Sequence, residues 1–183
     1  MRVTLSKLDP GTTRVELDWP AKTLGRLDKI PGQTGHDEAG IRVVGPVAGW
    51  VEITPVGDEL KVEGRVATRL ALACHRCLEE VVKSKEVEFD LTLVESFGLS
   101  QSDRELAAEE MDLALIEGEK LDLVEVIREQ LLLSCEMINL CRPNCRGLCS
   151  RCGANLNNSP CECQLTETDP RLAVLSQWQP SSD

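Results

Sequence analysis

Nine cysteines are the residues of this 183-residue chain whose type and spacing most directly suggest chemistry. Seven of them crowd into the 29 residues from Cys135 to Cys163, and the other two form a close pair, Cys74 and Cys77. An odd number of cysteines cannot pair completely, and the N-terminus lacks the continuous apolar stretch of a signal peptide. We therefore expect a cytoplasmic protein with reduced thiols, and metal binding is the leading interpretation of the cysteine-rich segment.

The C-terminal cysteines have the spacing C-x3-C-x3-C-x2-C-x8-C-x-C between residues 141 and 163. A C-x2-C turn can place two sulfurs on one zinc ion, and the glycine that follows the second cysteine suits such a turn. The spacing predicts at least one zinc ion on Cys149 and Cys152, with Cys145 and either Cys161 or Cys163 favoured as the second pair. The six candidate ligands are Cys141, Cys145, Cys149, Cys152, Cys161 and Cys163.

The earlier pair, Cys74-His-Arg-Cys77, is open to three interpretations. It could form half of a second metal site, a redox pair or a structural turn. A redox pair needs a lowered thiol pKa, which the two glutamates that follow would oppose. Cys135 is expected to be a buried thiol at the end of a helix.

Alternating apolar residues predict that most of the first ninety residues form β-strands. Two alternating stretches on either side of Gly57 predict a hairpin, and a further strand is expected near Val87. A helix is predicted from Leu123 to about Leu133, capped by Asp122, because apolar residues recur there at helical spacing. A short terminal helix is predicted after residue 169, where an Asp-Pro pair precedes leucines and a tryptophan.

These elements predict an α+β fold: an antiparallel β-meander or partly closed barrel with one long helix, a small zinc-ribbon-like segment and a short terminal helix. The expected divisions are a β-rich domain with its packed helix at residues 1–134, a cysteine-rich zinc-binding segment at 135–165, and a terminal helix and tail at 166–183.

Charge argues against general nucleic-acid binding, since 20 basic residues face 31 acidic ones and the net charge is −11. The acidic excess lies in the middle third, especially between Asp103 and Glu125, which suggests either a solvated surface or a site for a basic partner. Against this background, Arg142, Arg146 and Arg151 in the cysteine-rich segment are candidate RNA contacts. No apolar stretch is long enough to span a membrane.

Sequence signatures of catalysis are absent: there is no Gly-rich phosphate loop, G-x-S-x-G or H-E-x-x-H motif. We therefore expect a protein that is not an enzyme, with no small-molecule substrate evident.

Two cysteine blocks, in this order, resemble the bacterial YceD family of large ribosomal RNA subunit accumulation proteins. The resemblance rests on Cys74-His-Arg-Cys77-Leu-Glu, on Cys145-Arg-Gly-Leu-Cys149-Ser-Arg-Cys152-Gly, on Cys161-Glu-Cys163 and on Asp169-Pro-Arg-Leu172. It covers roughly residues 40–178. It implies a non-enzymatic role in the synthesis, processing or stability of large-subunit ribosomal RNA, with that RNA or a ribosomal protein as the partner.

Two other functions fit the same residues. One is a zinc- or thiol-based redox sensor, in which oxidation of clustered cysteines releases the metal. The other is an acidic adaptor that binds a basic ribosomal protein through the middle third of the chain.

Overall fold

The computed structural model describes residues 2–5, 8, 10–28, 40–57, 59–95, 113–116, 118, 120–163 and 171. The strands are β1 (Arg2–Thr4), β2 (Thr13–Trp19), β3 (Arg42–Val43), β4 (Val47–Val56), β5 (Glu59–Ala73), β6 (Glu80–Glu95), β7 (Leu113–Ile116) and β8 (Lys120–Asp122). One α-helix, α1, spans Leu123–Leu133, and a short 3₁₀ helix spans Ala21–Thr23.

The main sheet has the strand order β2-β4-β5-β6-β7, and β3 pairs with part of β5. Its long centre is the hairpin of β5 and β6, whose register runs without a break from Glu59 opposite Val94 to Ala73 opposite Glu80. The predicted hairpin around Gly57 is confirmed, since β4 and β5 pair antiparallel up to Val56 opposite Glu59. The end of the β5–β6 hairpin is where the first cysteine pair lies.

The barrel alternative is wrong, because the sheet is open among the described residues and ends at β2 and β7. The sheet is also not a pure antiparallel meander, since β7 pairs parallel with β6. Parallel neighbours need a long connection, and the chain has 17 residues between Glu95 and Leu113 to make one. Strands β1 and β8 form a separate two-stranded sheet and do not close the main one.

Burial follows the predicted periodicities. Alternate residues of β5, including Val62, Val66 and Leu70, are almost completely buried. Helix α1 contributes residues spaced by four, and Leu123, Ile127 and Leu131 are 0% exposed. Burying each such side chain stabilises the fold by about 1.5–3 kcal/mol.

The predicted helix is confirmed with its boundaries. Asp122 has an extended backbone, and its carboxylate accepts the backbone N–H of Val124 at 3.1 Å, as an N-cap residue does. The predicted terminal helix after residue 169 and most of the acidic stretch from Asp103 lie outside the described residues. Among the described residues, no helix is both long and apolar enough to cross a lipid bilayer.

Candidate metal centres

The first cysteine turn joins β5 to β6. The backbone N–H of Cys74 donates to the carbonyl of Glu79 at 2.9 Å, and the N–H of Leu78 donates to the carbonyl of Cys74 at 2.9 Å. Leu78 has a φ of +61°, which is unusual for a residue with a side chain. The tight turn brings the sulfurs of Cys74 and Cys77 within 4.8 Å of each other.

The second cysteine turn repeats this hydrogen-bond pattern. The N–H of Cys149 donates to the carbonyl of Ala154 at 2.8 Å, and the N–H of Gly153 donates to that of Cys149 at 2.9 Å. Gly153 has a φ of +72° and occupies the position that Leu78 holds in the first turn. The fragment C-x-R-C therefore forms the same local structure twice, at residues 74–77 and 149–152.

Four cysteines converge at the end of the β5–β6 hairpin, and we call this set the inner cluster: Cys74, Cys77, Cys141 and Cys145. Their sulfurs all lie within 4.8 Å of one another. The Cys74 and Cys145 sulfurs are 3.8 Å apart, and those of Cys77 and Cys141 are 3.7 Å apart. Three of the four are buried, and Val81, Leu140 and Leu148 pack around them.

The chain after α1 is fastened to the hairpin by direct hydrogen bonds. The backbone N–H of His75 donates to the carbonyl of Asn139 at 2.8 Å, and the backbone N–H of Asn139 donates to His75 Nδ1 at 2.9 Å. The buried Asn139 side chain also donates to the carbonyl of Ala73 at 3.0 Å. The guanidinium of Arg76 then donates to the carbonyl of Cys145 at 2.9 Å. These contacts bring residues 141 and 145 to the first cysteine turn.

A second set, the outer cluster, consists of Cys149, Cys152, Cys161 and Cys163. These sulfurs also lie within 4.8 Å of one another. Only Cys149 is buried, whereas Cys152 is exposed and the other two are half-buried. The two clusters share the same donor atoms, but the outer one is far more open to solvent.

Backbone N–H groups favour the thiolate form of the first cysteine in each turn. Burial opposes ionisation of Cys74, but hydrogen bonds from the N–H groups of Cys77, Arg76 and Cys141 outweigh it and lower its pKa to about 6. The N–H groups of Cys152 and Arg151 lower the pKa of Cys149 to about 6.

One cysteine in each cluster, Cys141 in the inner and Cys163 in the outer, holds its proton more tightly. Burial and the neighbouring thiols raise the pKa of Cys141 to about 12. A hydrogen bond with Cys152, together with burial, raises the pKa of Cys163 to about 12. Without a positive ion, each cluster therefore concentrates negative charge on one or two sulfurs, and it suits a cation that draws charge from all four.

The structure divides the six C-terminal cysteines differently from the favoured grouping. Cys149 and Cys152 lie with both Cys161 and Cys163, while Cys145 belongs to the inner cluster with Cys141. Spacing along the chain did not reveal this, because the partners of Cys145 come from a hairpin more than sixty residues earlier. The repeated C-x-R-C fragment was the available signal that Cys74 and Cys77 form a turn of the same kind as residues 149–152.

Cys135 belongs to neither cluster. Its thiol lies 3.3 Å from the carbonyl oxygen of Leu131, and burial raises its pKa. It packs against the main core.

Each of the three candidate RNA-contacting arginines lies between two cysteines in the chain. Arg142, Arg146 and Arg151 are all exposed, and Arg76 from the hairpin turn is exposed as well. Arg142 also donates to the side-chain oxygen of Asn157 at 2.8 Å, so part of its hydrogen-bonding capacity is used within the fold.

The fold and the site together define a class: an open β-sheet protein whose central hairpin and C-terminal segment carry two four-cysteine clusters, either of which could hold a metal ion. Residues 62–178, which contain both clusters, match the family model described as large ribosomal RNA subunit accumulation protein YceD. The chain belongs to the YceD family.

The curated relatives include two proteins named for the same family. The chain is 28% identical to the chloroplastic large ribosomal RNA subunit accumulation protein YCED homolog 1 of Arabidopsis thaliana, over 83% of this chain and 57% of that protein. The corresponding maize protein is 28% identical over 70% of this chain and 52% of its own length. An uncharacterised protein of Mycobacterium tuberculosis is 31% identical over 73% of this chain and 62% of its own.

The chain thus spans between about half and three-fifths of the length of these relatives. No solved structure matches it.

Proposed function

We propose that this protein is a non-enzymatic cytoplasmic factor that supports the synthesis, processing or stability of large-subunit ribosomal RNA. The observation that carries the proposal is the family match, which begins in β5 and continues through both cysteine clusters. The function named for the family is therefore associated with the part of the chain that holds the clusters.

Zinc is the metal that the donor sets favour. A tetrahedral ion with Zn–S bonds of about 2.3 Å keeps its sulfurs about 3.8 Å apart. The inner cluster already has sulfur pairs at 3.7 and 3.8 Å. Four thiolates and no open position are typical of structural zinc, and we propose one such ion in each cluster.

When bound, the ions would supply cross-links and no reaction chemistry. The inner cluster takes two ligands from the β5–β6 hairpin and two from the chain after α1, so an ion there would join segments about seventy residues apart. The short, polar outer segment offers little apolar surface to bury, and metal affinity would supply its folding energy. The metals would thereby give residues 139–163 a fixed shape on the end of the sheet.

Metal content is the direct check. We expect two zinc ions per purified chain, measured by native mass spectrometry. Cys145→Ser should remove the inner ion and Cys149→Ser the outer one. Cys135→Ser is the matched control and should retain both, because Cys135 lies outside both clusters. A chain that binds no metal, or a C135S variant that loses an ion, would refute this assignment.

The role in ribosomal RNA is tested in cells that lack the protein. We expect a lower ratio of large- to small-subunit ribosomal RNA, restored by the wild-type chain and by C135S but not by a chain with both cysteine turns changed to serine. Restoration by that last variant, expressed at equal level, would show that the clusters are dispensable. An unchanged ratio in the deleted strain would refute the function itself.

Direct RNA contact would come from a local surface, since the chain as a whole is acidic. Arg142, Arg146 and Arg151 carry three positive charges, while each zinc with four thiolates leaves a net charge of about −2. Two such sites carry about −4 together, so the three arginines offset most of this charge and would attract phosphate only at short range. Changing all three to Ala should weaken binding to large-subunit RNA and flatten its salt dependence, because fewer phosphate contacts release fewer counterions. An unchanged salt slope would favour a ribosomal protein as the immediate partner.

The exposure of Cys152 is the one observation that favours redox sensing as a second function. A sensor should lose the outer ion under mild peroxide and change its effect on ribosomal RNA at the same dose. Retention of both ions at doses that oxidise the exposed Met137 would exclude the sensor.

A further inference from the structure

Three asparagines in the loop of the outer cluster make side-chain contacts with the inner cluster or with residues beside it. This loop, residues 153–160, connects the two cysteine pairs of the outer cluster. Its amide side chains face the first cysteine turn and an inner cysteine. These contacts are independent of the sulfurs that would hold the outer ion.

Asn157 makes the most direct of these contacts. Its side-chain N–H group donates to the sulfur of Cys145 at 3.3 Å. Its side-chain oxygen accepts the backbone N–H of Arg146 at 2.8 Å and the guanidinium of Arg142 at 2.8 Å. One outer-loop residue thus contacts the inner ligand Cys145, the backbone of Arg146 that follows it and the side chain of Arg142 that precedes it.

Glu79 provides the second set of contacts. It follows the first cysteine turn, and its carboxylate accepts the side-chain N–H groups of Asn155 at 2.8 Å and Asn158 at 3.3 Å. Asn155 in turn accepts from both the backbone and the side chain of Asn157, at 3.0 and 2.8 Å. The asparagines form one network that is hydrogen-bonded to the inner ligand Cys145 and to Glu79 beside the first cysteine turn.

We propose that the two clusters are thermodynamically coupled metal sites. Filling the inner site raises the metal affinity of the outer one. Asn157 is the positioning residue for this coupling. An inner ion would fix Cys145 and the segment from Arg142 to Arg146. These are the groups to which Asn157 is hydrogen-bonded, so the outer loop would be ordered before its own ion arrives. Hydrogen-bond donors to a metal's ligands typically change metal affinity by about 10–100-fold. The inference rests on the proposal that both clusters bind metal, and it does not depend on a role in ribosomal RNA.

The experiment measures Co²⁺ binding to the full-length chain by its thiolate absorption, in competition with a chelator. The outer-site affinity is measured in the wild type and in a Cys74→Ser/Cys77→Ser variant, and the inner-site affinity in a Cys149→Ser/Cys152→Ser variant. We expect disabling the inner site to lower the affinity of the outer one by about tenfold or more. Because coupling is reciprocal, the inner site should bind more tightly, by the same factor, with the outer site filled than in the variant that lacks it. Asn157→Ala should bring that factor close to one.

Asn144→Ala is the matched control, since Asn144 is an exposed asparagine between two inner ligands and should leave the factor unchanged. Far-ultraviolet circular dichroism confirms that each variant retains the sheet. If disabling the inner site removes outer binding altogether, the deciding variant is Asn157→Ala with all eight cluster cysteines intact. The proposal then requires that this variant bind Co²⁺ in two steps, with the outer step weakened. Equal affinities with and without the other site refute the coupling alone, and no Co²⁺ binding by the wild type refutes the metal sites as well.

Discussion

The backbone N–H of Leu148 donates to the carbonyl oxygen of Arg76 at 3.0 Å, so the segment between the two clusters lies directly against the first cysteine turn. The residue before it, Gly147, has a φ of +74°. A Cβ atom on Gly147 would lie 3.1 Å from that same carbonyl oxygen. The close approach of two backbones therefore depends on a residue without a side chain.

Gly147→Ala should lower the free energy of unfolding of the metal-loaded chain by about 2 kcal/mol, because it adds a steric contact to an unfavourable φ. Gly153→Ala is the matched control: its φ is +72°, but a Cβ there meets no atom within 4 Å. That control should lose only about 1 kcal/mol. Urea unfolding measures both, and equal losses would show that the contact with Arg76 contributes nothing.

Leu78 is the reverse case, a residue with a side chain where the equivalent turn has glycine. Leu78→Gly should raise the free energy of unfolding by up to about 1 kcal/mol, because relief of the positive φ exceeds the added freedom of the unfolded chain. The Leu78 side chain is 66% exposed, so its removal forfeits little packing. Leu78→Ala keeps the unfavourable φ and should change little. A glycine variant less stable than the alanine variant would contradict this account.

Metal binding should release protons and weaken as pH falls. At neutral pH the Cys74 and Cys149 thiols, with pKa values near 6, are largely ionised, whereas the Cys141 and Cys163 thiols, with pKa values of about 12, are protonated. A bound ion takes all four sulfurs as thiolates, so each ion must displace at least one proton. Calorimetric titration in two buffers of different ionisation enthalpy counts these protons, and a heat independent of the buffer would contradict the prediction.

The cap of α1 gives a pH-dependent contribution to stability. Burial opposes ionisation of Asp122, but Arg2 at 3.0 Å and the N–H of Val124 outweigh it and lower its pKa. A lowered folded pKa stabilises the protein above the pKa of the unfolded chain, near 4, and this stability is lost as pH falls through the folded value. Asp122→Ala should lower the free energy of unfolding at pH 7 by about 1 kcal/mol.

Asp122→Asn keeps an acceptor for the cap and separates the two effects. We expect it to be less stable than the wild type at pH 7, and we expect this gap to close as pH falls through the folded pKa of Asp122. Thermal unfolding across this pH range measures the difference, and a constant gap between the two chains would argue against a depressed Asp122 pKa.

The local sequence pattern was sufficient to predict a strand or helix wherever the residues of that element specify it. The alternation of β5 and β6, the apolar spacing of α1 and its cap at Asp122 are each encoded within a dozen or so neighbouring residues. The metal-binding character of the segment could also be predicted from the sequence, because it follows from the number and spacing of the cysteines. The two cysteine blocks also identified the family that the comparison then showed.

Only the tertiary structure determined which four cysteines form each cluster. Cys145 stands four residues from Cys149 in the chain, yet it lies in the inner cluster with Cys74 and Cys77. The reason is the length and register of the β5–β6 hairpin, which place the first cysteine turn beside the segment that directly follows α1. Sequence spacing limits which ligands can be neighbours along the chain, but only the packing of distant segments determines which sulfurs can share one ion.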